Sequence, residues 1–471
     1  MPPPRKLNPQ SVWDTNAVLA AFEEENIKPM HALRMWGWLI RNPSATWHDV
    51  PDMPKAALAL LDKYFVKFTT KVVKCQNSSD GSTTKLLVEL QDGMQVEAVV
   101  MTYESPSRDP QLLAAGGPEV DPHLPVDHSA GRDHLAEQEE QDALGGGPAA
   151  AAAAAGQEQE RPARRGAGGE GEEDEEAEAS SSAPSVTGAG AAAAAAARAR
   201  KRSTLCVSSQ VGCQMGCTFC ATGTMGLKGH LNAGEIVEQL VHARAVARIR
   251  NVVFMGMGEP LNNYEAVRGA VAMMTDSKYF GLRRRHVTVS TVGVIPRIKQ
   301  LAEDLPGVSL ALSLHAPTQE LRLQIVPSAR AYKLDKLMEA VRTYQATSSQ
   351  RVFYEYVMLA GVNDGEEQAH QLGQLLKGDD VVINLIPWNP IYQPEGPFFE
   401  APRDGSVGTF QSILRHQYGL HTTIRQEMGQ DISGACGQLV IETSGVGGCS
   451  KEATKDIEDA VRKVNLNGPV A

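Results

Sequence analysis

Beyond residue 203, hydrophobic positions fall into short apolar runs separated by stretches with helical spacing. The runs are Leu205–Ser208, Val252–Met255, Val287–Ser290, Val308–Leu314, Val352–Met358 and Val381–Ile386. The helical stretches lie near 232–248, 264–275, 296–304, 333–345 and 366–377. Asn232 and Glu235 open the first of these stretches as a capping-box pair. Six strands alternating with five helices predict parallel βα units. We expect an α/β fold with a partial (β/α)6 barrel, and an open doubly wound sheet is the alternative.

The region before residue 104 has a different pattern. Apolar residues recur at helical spacing from Ala17 to Ile40. Three short strands follow, at Thr70–Val73, Lys85–Val88 and Gln95–Val100. We predict a small N-terminal α+β domain of RNA-binding type over residues 10–103. In either sheet architecture, ligands are expected at the carboxyl ends of the strands, where the loops gather.

Composition separates a third region, 104–202, from the rest. Within it, 105–200 holds two alanine runs, no aromatic residue, 18 acidic and 7 basic residues. Such a segment buries too little apolar surface to offset its ordering entropy, so we predict a disordered insertion. The remaining boundaries place a catalytic core at 203–445 and a C-terminal helix and tail at 446–471.

Charge and targeting features narrow the partners only slightly. The chain carries a formal charge of −11, but all of it lies in 105–200, so the folded part is neutral. Nucleic-acid binding would need local basic patches such as Arg283–His286, which a solvated loop explains equally well. No apolar run is long enough for a membrane span, and the N-terminus favours neither a secretory signal nor a transit peptide. We expect a cytoplasmic protein, with a plastid or mitochondrion as the alternative.

Four of the seven cysteines lie within residues 206–220. Cys213, Cys217 and Cys220 form a CxxxCxxC pattern in a short loop with two glycines, in which three thiolates can close on one metal centre. A [4Fe–4S] cluster normally takes four thiolates, so three would leave one iron open. Structural zinc, with Cys206 or His230 as the fourth ligand, is the alternative on spacing alone.

Together, these motifs resemble the radical S-adenosylmethionine (SAM) superfamily and, within it, the RlmN/Cfr family of RNA adenine methyltransferases. The segments that carry the resemblance are Cys206–Cys220, Phe254–Pro260, Ser313–Pro317, Asn384–Pro390 and Asp431–Leu439. The resemblance covers residues 203–440 closely and 12–103 loosely, and it skips the acidic insertion. It implies a [4Fe–4S] cluster held by Cys213, Cys217 and Cys220, with SAM on the open iron.

The resemblance also implies a SAM site and a second chemical centre. The SAM residues would be Gly258, Glu259, Ser290, Ser313, Leu314, His315 and Asn389. In the family, the cysteine at Cys436 accepts a methyl group from one SAM, and a second SAM supplies the radical that activates it. The cysteine at Cys206 then attacks the Cys436 sulfur and forms a disulfide that releases the methylated base. Glu97 matches the family's proton-accepting glutamate and is the candidate base, and a solvent-facing strand residue is the alternative.

By the same resemblance, the substrate is an adenine in large ribosomal RNA. Some family members also act on transfer RNA, which would be a second substrate. Glu259-Pro260 favours methylation at carbon 2 over carbon 8. A flavodoxin- or ferredoxin-type donor would supply electrons to a monomeric enzyme. Two rivals stay open: a radical-SAM enzyme with another substrate, which would not need Cys436, and a non-catalytic zinc or RNA-binding module.

Overall fold

The computed structural model describes residues 5, 7–104, 201–391, 398–403 and 405–439. The predicted insertion and the predicted C-terminal helix and tail lie outside the described residues, apart from the strand residues Glu104, Lys201 and Arg202. Within the described part of the chain, no helix has the length and apolar character needed to cross a bilayer.

One mixed sheet of ten strands organises the described residues. Seven parallel strands are β6 (Lys201–Cys206), β9 (Ile249–Phe254), β10 (Val287–Thr291), β11 (Ser309–Ser313), β12 (Val352–Met358), β13 (Val381–Pro387) and β14 (His421–Ile424). They lie side by side in chain order, so each crossover connection brings the next strand to the same edge. The α/β fold and the six predicted strands are confirmed. The parallel strands follow one another in chain order without the reversal of a doubly wound sheet, which agrees with the expected partial barrel. The hydrophobic pattern did not predict the seventh parallel strand, β14, because its residues, His421-Thr422-Thr423-Ile424, are mostly polar.

The N-terminal strands extend this sheet. They are β3 (Lys71–Asn77), β4 (Thr83–Glu89) and β5 (Gln95–Glu104), and they pair antiparallel. The strand β5 also pairs antiparallel with β6, in a register that places Val99 opposite Cys206 and Glu104 opposite Lys201. The two ends of the predicted insertion therefore leave from neighbouring strands. Two two-stranded sheets complete the set: β1 (Gln10–Ser11) with β2 (Phe65–Val66), and β7 (Gln210–Cys213) with β8 (Gly226–His230).

Helices cover the N-terminal region and connect the parallel strands. They are α1 (Thr15–Glu24), α2 (Pro29–Arg41), α3 (Lys55–Tyr64), α4 (Ala221–Thr224), α5 (Ala233–Val246), α6 (Tyr264–Thr275), α7 (Ile295–Asp304), α8 (Gln319–Ile325), α9 (Leu334–Ser348), α10 (Glu366–Leu376) and α11 (Ser406–Ser412). The stretch from Ala17 to Ile40 is two helices, because Pro29 starts a new helix. The predicted capping box is present: Asn232 Oδ1 accepts from Glu235 N at 2.7 Å, and Glu235 Oε2 accepts from Asn232 N at 3.0 Å.

Buried polar contacts fasten the N-terminal region to α5. Glu238, fully buried on α5, accepts hydrogen bonds from the backbone N–H groups of Thr69 and Thr70 at 3.0 and 2.8 Å. The hydroxyls of Ser11 and Thr70 donate to the same carboxylate. A buried carboxylate is stable only with such partners, so this joint depends on all of them. It ties the segment before β3 to the first crossover helix of the parallel sheet.

Candidate active site

A cavity lies at the carboxyl ends of the parallel strands. Its lining includes most of the residues that the sequence analysis selected: Cys213, Cys217, Cys220, Gly258, Glu259, Ser290, Ser313, His315, Asn389 and Cys436. The sheet therefore brings together segments that are far apart in the chain. Their placement at strand ends agrees with the expectation for parallel α/β folds.

The three-cysteine loop is fixed by its turn geometry. Cys213 ends β7, and Cys220 directly precedes α4. Gly212, beside Cys213, has φ +71°, and a Cβ built on it would lie 1.9 Å from the carbonyl oxygen of Gly226 on β8. Only glycine fits there, so β7 and β8 can approach closely and aim the loop into the cavity.

Backbone contacts from remote segments hold the same loop. Thr218 N donates to Ile325 O at 3.0 Å, and Ala221 N donates to Gly437 O at 2.8 Å. The Trp388 indole N–H donates to Phe219 O at 3.0 Å. The loop is thus positioned by the tertiary structure as well as by its own turns.

The chemistry of the three thiols in this loop suits an iron–sulfur cluster. Burial raises the pKa of Cys213 to about 12 and raises the pKa of Cys217 well above its usual value. Such thiols become thiolates when bound to a metal, which deprotonates them outright. Three thiolates would leave one iron of a [4Fe–4S] cluster without a protein ligand.

Gly258 and Glu259 form a tight turn after β9. Gly258 has φ +100°, and a Cβ there would lie 2.5 Å from Gln210 Cβ. The Glu259 carboxylate accepts from Leu261 N at 3.0 Å and from Val292 N at 2.9 Å, so it bridges the loops after β9 and β10. Burial raises the pKa of Glu259 to about 7, while these hydrogen bonds oppose the shift.

Ser290, Ser313 and His315 line the next part of the wall. The hydroxyls of Ser290 and Ser313 lie 3.3 Å apart on neighbouring strands. His315 Nδ1 accepts from Val357 N at 3.1 Å, which leaves Nε2 as the protonated nitrogen and a donor. Burial lowers the pKa of His315 to about 3, and Arg322 acts in the same direction, so the ring is neutral.

The side chain of Leu314 does not line this cavity. It is fully buried in the main hydrophobic core. Its carbonyl oxygen accepts from Arg322 Nε at 3.0 Å. The assignment of Leu314 to the SAM site stays a prediction of the resemblance.

Asn389 links the cavity wall to the segment that carries Cys436. Its Nδ2 donates to Cys436 O at 3.1 Å, and its Oδ1 accepts from Gln430 Nε2 at 3.0 Å. Both ends of the amide are engaged within the protein. Asn389 thus positions the Cys436 segment in addition to lining the cavity.

A second cavity adjoins the first and contains Cys206 and Cys436, the two cysteines that the resemblance pairs in a disulfide. Cys206, Cys436, Met255 and Arg425 are among its lining residues, and Cys436, Met255 and Arg425 also line the first cavity. Both cysteines are free thiols; Cys206 is 8% exposed and Cys436 is accessible. Burial raises the pKa of Cys206 to about 12. The fold therefore brings together two thiols that the sequence could not place near one another.

Glu97 lies on β5, two positions before Val99, the residue opposite Cys206. Because strand side chains alternate, Glu97 shares a face with Val99, which lines the second cavity. Glu97 is 4% exposed, and its Oε1 lies 3.0 Å from Lys85 Nζ. The solvent-facing interpretation of Glu97 is wrong. It lines neither of the two cavities in this structure.

Three charged residues of the site were missed by the sequence analysis. Arg322, 1% exposed, donates to the carbonyl oxygens of Leu314, Val292 and Ser313 at the ends of the strands. Glu355 on β12 and Arg425 after β14 line the first cavity. A charged residue inside the otherwise apolar run Val352–Met358 was the one available signal, and it pointed to Glu355.

Comparisons with known proteins agree with this site. Residues 207–372 match the family model for the radical SAM superfamily. A dual-specificity RNA methyltransferase RlmN 1 of Myxococcus xanthus is 46% identical over 243 residues, which cover 50% of this chain and 67% of that protein. A ribosomal RNA large subunit methyltransferase N of Nitrosopumilus maritimus is 34% identical over 398 residues, covering 83% of this chain and 87% of the relative.

A solved structure supports the same assignment. The crystal structure of a radical SAM methyltransferase from Sphaerobacter thermophilus superposes with a TM-score of 0.65 at 30% identity, covering 92% of this chain and 99% of that one. The superfamily uses a [4Fe–4S] cluster and SAM, and the donor set and cavity described above fit both. The chain belongs to the RlmN family of radical SAM RNA methyltransferases.

Proposed function

We propose that this protein methylates carbon 2 of an adenine in RNA and carries the methyl group on Cys436. One observation supports this best: the cavity lined by the three loop cysteines meets, at Cys436, the cavity that holds Cys206. A radical-SAM enzyme without a methyl-carrying thiol needs only the first cavity. The names of the relatives, which specify RNA and ribosomal RNA methylation, agree with the proposal.

The cofactor roles follow from the lining of the first cavity. Cys213, Cys217 and Cys220 would hold the cluster, and SAM would lie against the walls that contain Gly258, Ser290, Ser313 and His315. Leu314 would contribute only through its backbone, and Glu259 would shape the turn beside the SAM amino group. When bound, the cluster and SAM together supply the carbon radical that an unreactive ring carbon requires.

Cys436 suits the methyl carrier because its thiol is accessible from both cavities. The adenine ring carbon is not nucleophilic, so a sulfonium methyl group cannot be transferred to it directly. A thioether on the enzyme divides the difficult transfer into feasible steps. The hydrogen bond from Asn389 to the Cys436 carbonyl would hold the carrier in place.

Cys206 would release the product. Its thiolate attacks Sγ of Cys436, the S–S bond forms, and the C–S bond to the methylene group on the base breaks. The electron pair of that bond leaves with the carbon, which takes up a proton and becomes the methyl group. A reductant must then return the disulfide to two thiols. Both cysteines are free in the structure, so we propose the disulfide only as a transient of turnover.

Glu97 would accept the proton from the ring carbon after the methylene group has added. It lies on the face of β5 that also carries Val99, opposite Cys206. A positioned carboxylate is the type of group that general-base catalysis uses. Because Glu97 lines neither cavity, this role requires the bound RNA to extend from Cys436 toward β5.

The proposed partners are an RNA substrate and an electron-donating protein. The target adenine must leave its stack to reach a recessed site, so we propose a loop or a flipped base in large ribosomal RNA, and in transfer RNA as a second substrate. A flavodoxin- or ferredoxin-type protein would donate electrons to a monomeric, cytoplasmic enzyme.

Mass spectrometry of RNA nucleosides tests the proposal. The reconstituted protein, SAM, a reductant and ribosomal RNA are expected to yield 2-methyladenosine, and Cys436→Ala is expected to yield none. Cys75→Ala, which alters an exposed cysteine on β3, is the matched control and should act as the native protein does. The 8-methyl isomer would overturn the carbon-2 assignment. Full activity of Cys436→Ala would exclude the methyl carrier.

A further inference from the structure

Arg425 lies where the two cavities meet. It directly follows β14, and its backbone N–H donates to Leu385 O at 2.8 Å. Its side chain lines both cavities, with Nη1 lying 3.8 Å from Met255 Sδ. Among the described residues that line these two cavities, Arg425 is the only lysine or arginine.

A row of polar side chains across three parallel strands leads to this guanidinium. Thr423 Oγ1 on β14 donates to Asn384 Oδ1 on β13 at 2.6 Å, and Asn384 Nδ2 donates to Glu355 Oε1 on β12 at 2.9 Å. The three residues are register partners, so the row is set by strand pairing. It fixes the orientation of the Glu355 carboxylate.

The second oxygen of Glu355 points to Arg425. Oε2 is buried, has no hydrogen-bond partner in the part of the chain that the structure describes, and lies 3.9 Å from Arg425 Nη1. An opposite charge at this distance compensates a buried carboxylate without saturating the guanidinium, which has five N–H donors. The remaining donors of Arg425 are thus available to other groups in the two cavities.

The exchange between Cys206 and Cys436 needs a thiolate in a place that disfavours one. Burial raises the pKa of Cys206 to about 12, and Arg425 opposes this shift. Thiol–disulfide exchange proceeds only through the thiolate. A fixed cation in the cavity that contains both sulfurs favours that charged form.

We propose that Arg425, which faces Glu355, is the positioning residue that stabilises the Cys206 thiolate when it attacks the sulfur of Cys436. The inference rests on the proposed function, because it concerns the step that would release the methylated base. It assigns Arg425 no contact with RNA or SAM.

The other titratable groups around the two thiols do not replace this cation. Tyr103 on β5 faces both Arg425 and Cys206, and burial raises its pKa, so it is neutral near pH 7. Glu427 lines the cavity with Cys206 and can add only negative charge. Lys85 is already paired with Glu97, and Cys220 belongs to the cluster loop. Without Arg425, the charges facing the thiols would be negative or paired.

A disulfide-exchange assay measures the step directly. The full-length, anaerobically reconstituted protein, with Cys75→Ser and Cys449→Ser, is treated with 5,5′-dithiobis(2-nitrobenzoate). The reagent first forms a mixed disulfide on the accessible Cys436. The Cys206 thiolate then attacks Sγ of Cys436, forms the protein disulfide and expels a second thionitrobenzoate, which is followed by its absorbance. Cys206→Ala should lack this second phase.

Arg425→Gln is expected to slow the second phase about tenfold near neutral pH and to shift its pH midpoint upward by about one unit. Arg425→Lys should recover most of the rate because it keeps the charge. The matched control is Arg342→Gln, which removes an arginine paired with Asp379 on the surface and should leave the phase unchanged. The inference is overturned if Arg425→Gln behaves as Arg342→Gln does.

Glu355→Gln keeps the inference testable if Arg425→Gln does not fold. Its side-chain oxygen can still accept from Asn384, whereas the negative charge beside Arg425 is gone. Both phases are therefore expected to accelerate, and unchanged or slower phases would overturn the inference. The assay contains no RNA and no added SAM. A failure of RNA methylation with intact Arg425 dependence would count against the proposed function alone, and the converse would count against the inference alone.

Discussion

The two groups of cysteines in this protein are built in different ways. Cys213, Cys217 and Cys220 lie in one loop between β7 and α4, and the turns of that loop bring their thiols to one wall. Cys206 ends β6, whereas Cys436 lies near the end of the last described segment, and only the assembled sheet places them in one cavity. The three-cysteine loop is thus formed by local turns, whereas the pair Cys206 and Cys436 is brought together only by the tertiary fold.

The second group also depends on the first. Ala221 N donates to Gly437 O at 2.8 Å, and Thr222 Oγ1 donates to Leu439 O at 2.6 Å, so the Cys436 segment is docked on the cluster loop. Disturbing the loop should therefore affect both groups. Disturbing Cys436 should leave the loop intact.

The largest expected effect separates the two groups most sharply. Cys217→Ala should abolish cluster binding, SAM cleavage and RNA methylation together, because it removes a proposed cluster ligand. Cys436→Ala should abolish only methylation and retain native iron content and reductive cleavage of SAM. Iron analysis and chromatography of 5′-deoxyadenosine check both variants. Loss of SAM cleavage in Cys436→Ala would show that the comparison is wrong.

Cys206→Ala tests the second member of the exchange pair. Methyl loading and addition to the base should proceed, but release should fail because no thiol attacks Cys436. A covalent complex between protein and labelled RNA should accumulate on denaturing gels. Free methylated RNA at the native rate would contradict the role of Cys206.

Glu97→Gln should have the next largest effect. A positioned general base contributes about 10²–10⁴-fold to rate, so methylation should fall by about that factor while cluster content stays native. Glu89→Gln alters another glutamate of the antiparallel strands, at the end of β4, and serves as the control. Equal rates for the two variants would remove Glu97 from the mechanism.

Gly258→Ala should have the smallest effect. The added Cβ would lie 2.5 Å from Gln210 Cβ, in a backbone with φ +100°. We therefore expect weaker SAM binding and a stability loss of about 1–3 kcal/mol. Gly361→Ala is the control for backbone strain, because Gly361 has φ +66° and nothing lies within 4 Å of its Cβ position. Equal effects on the KM for SAM would show that only strain matters.

The sequence predicted what is local and periodic. The parallel strands β6 and β9 to β13 and their crossover helices follow from apolar runs and helical spacing, and the loop cysteines follow from their spacing. It did not predict β14, because Thr422 and Thr423 replace the apolar run that identifies the other parallel strands. The N-terminal strands were found, but their membership of the same sheet is a matter of pairing between β5 and β6, which no single segment encodes.

Contacts between remote residues explain the rest. The resemblance supplied Cys436 and Cys206 as a pair, and the structure supplied the cavity that contains both. The row from Thr423 through Asn384 to Glu355 depends on register between three strands, so it could not be deduced before the sheet was known. The role proposed for Arg425 could not be deduced either, because it depends on the Glu355 carboxylate that this row orients.

The central claim is that Cys436, beside the cluster loop, carries the methyl group. Mass spectrometry of the peptide that contains Cys436 tests it most directly, after the reconstituted protein has been incubated with SAM and a reductant in the absence of RNA. The account predicts a methylated Cys436, and an unmodified Cys206 in the same preparation. An unmodified Cys436 in a preparation that goes on to methylate RNA would contradict it.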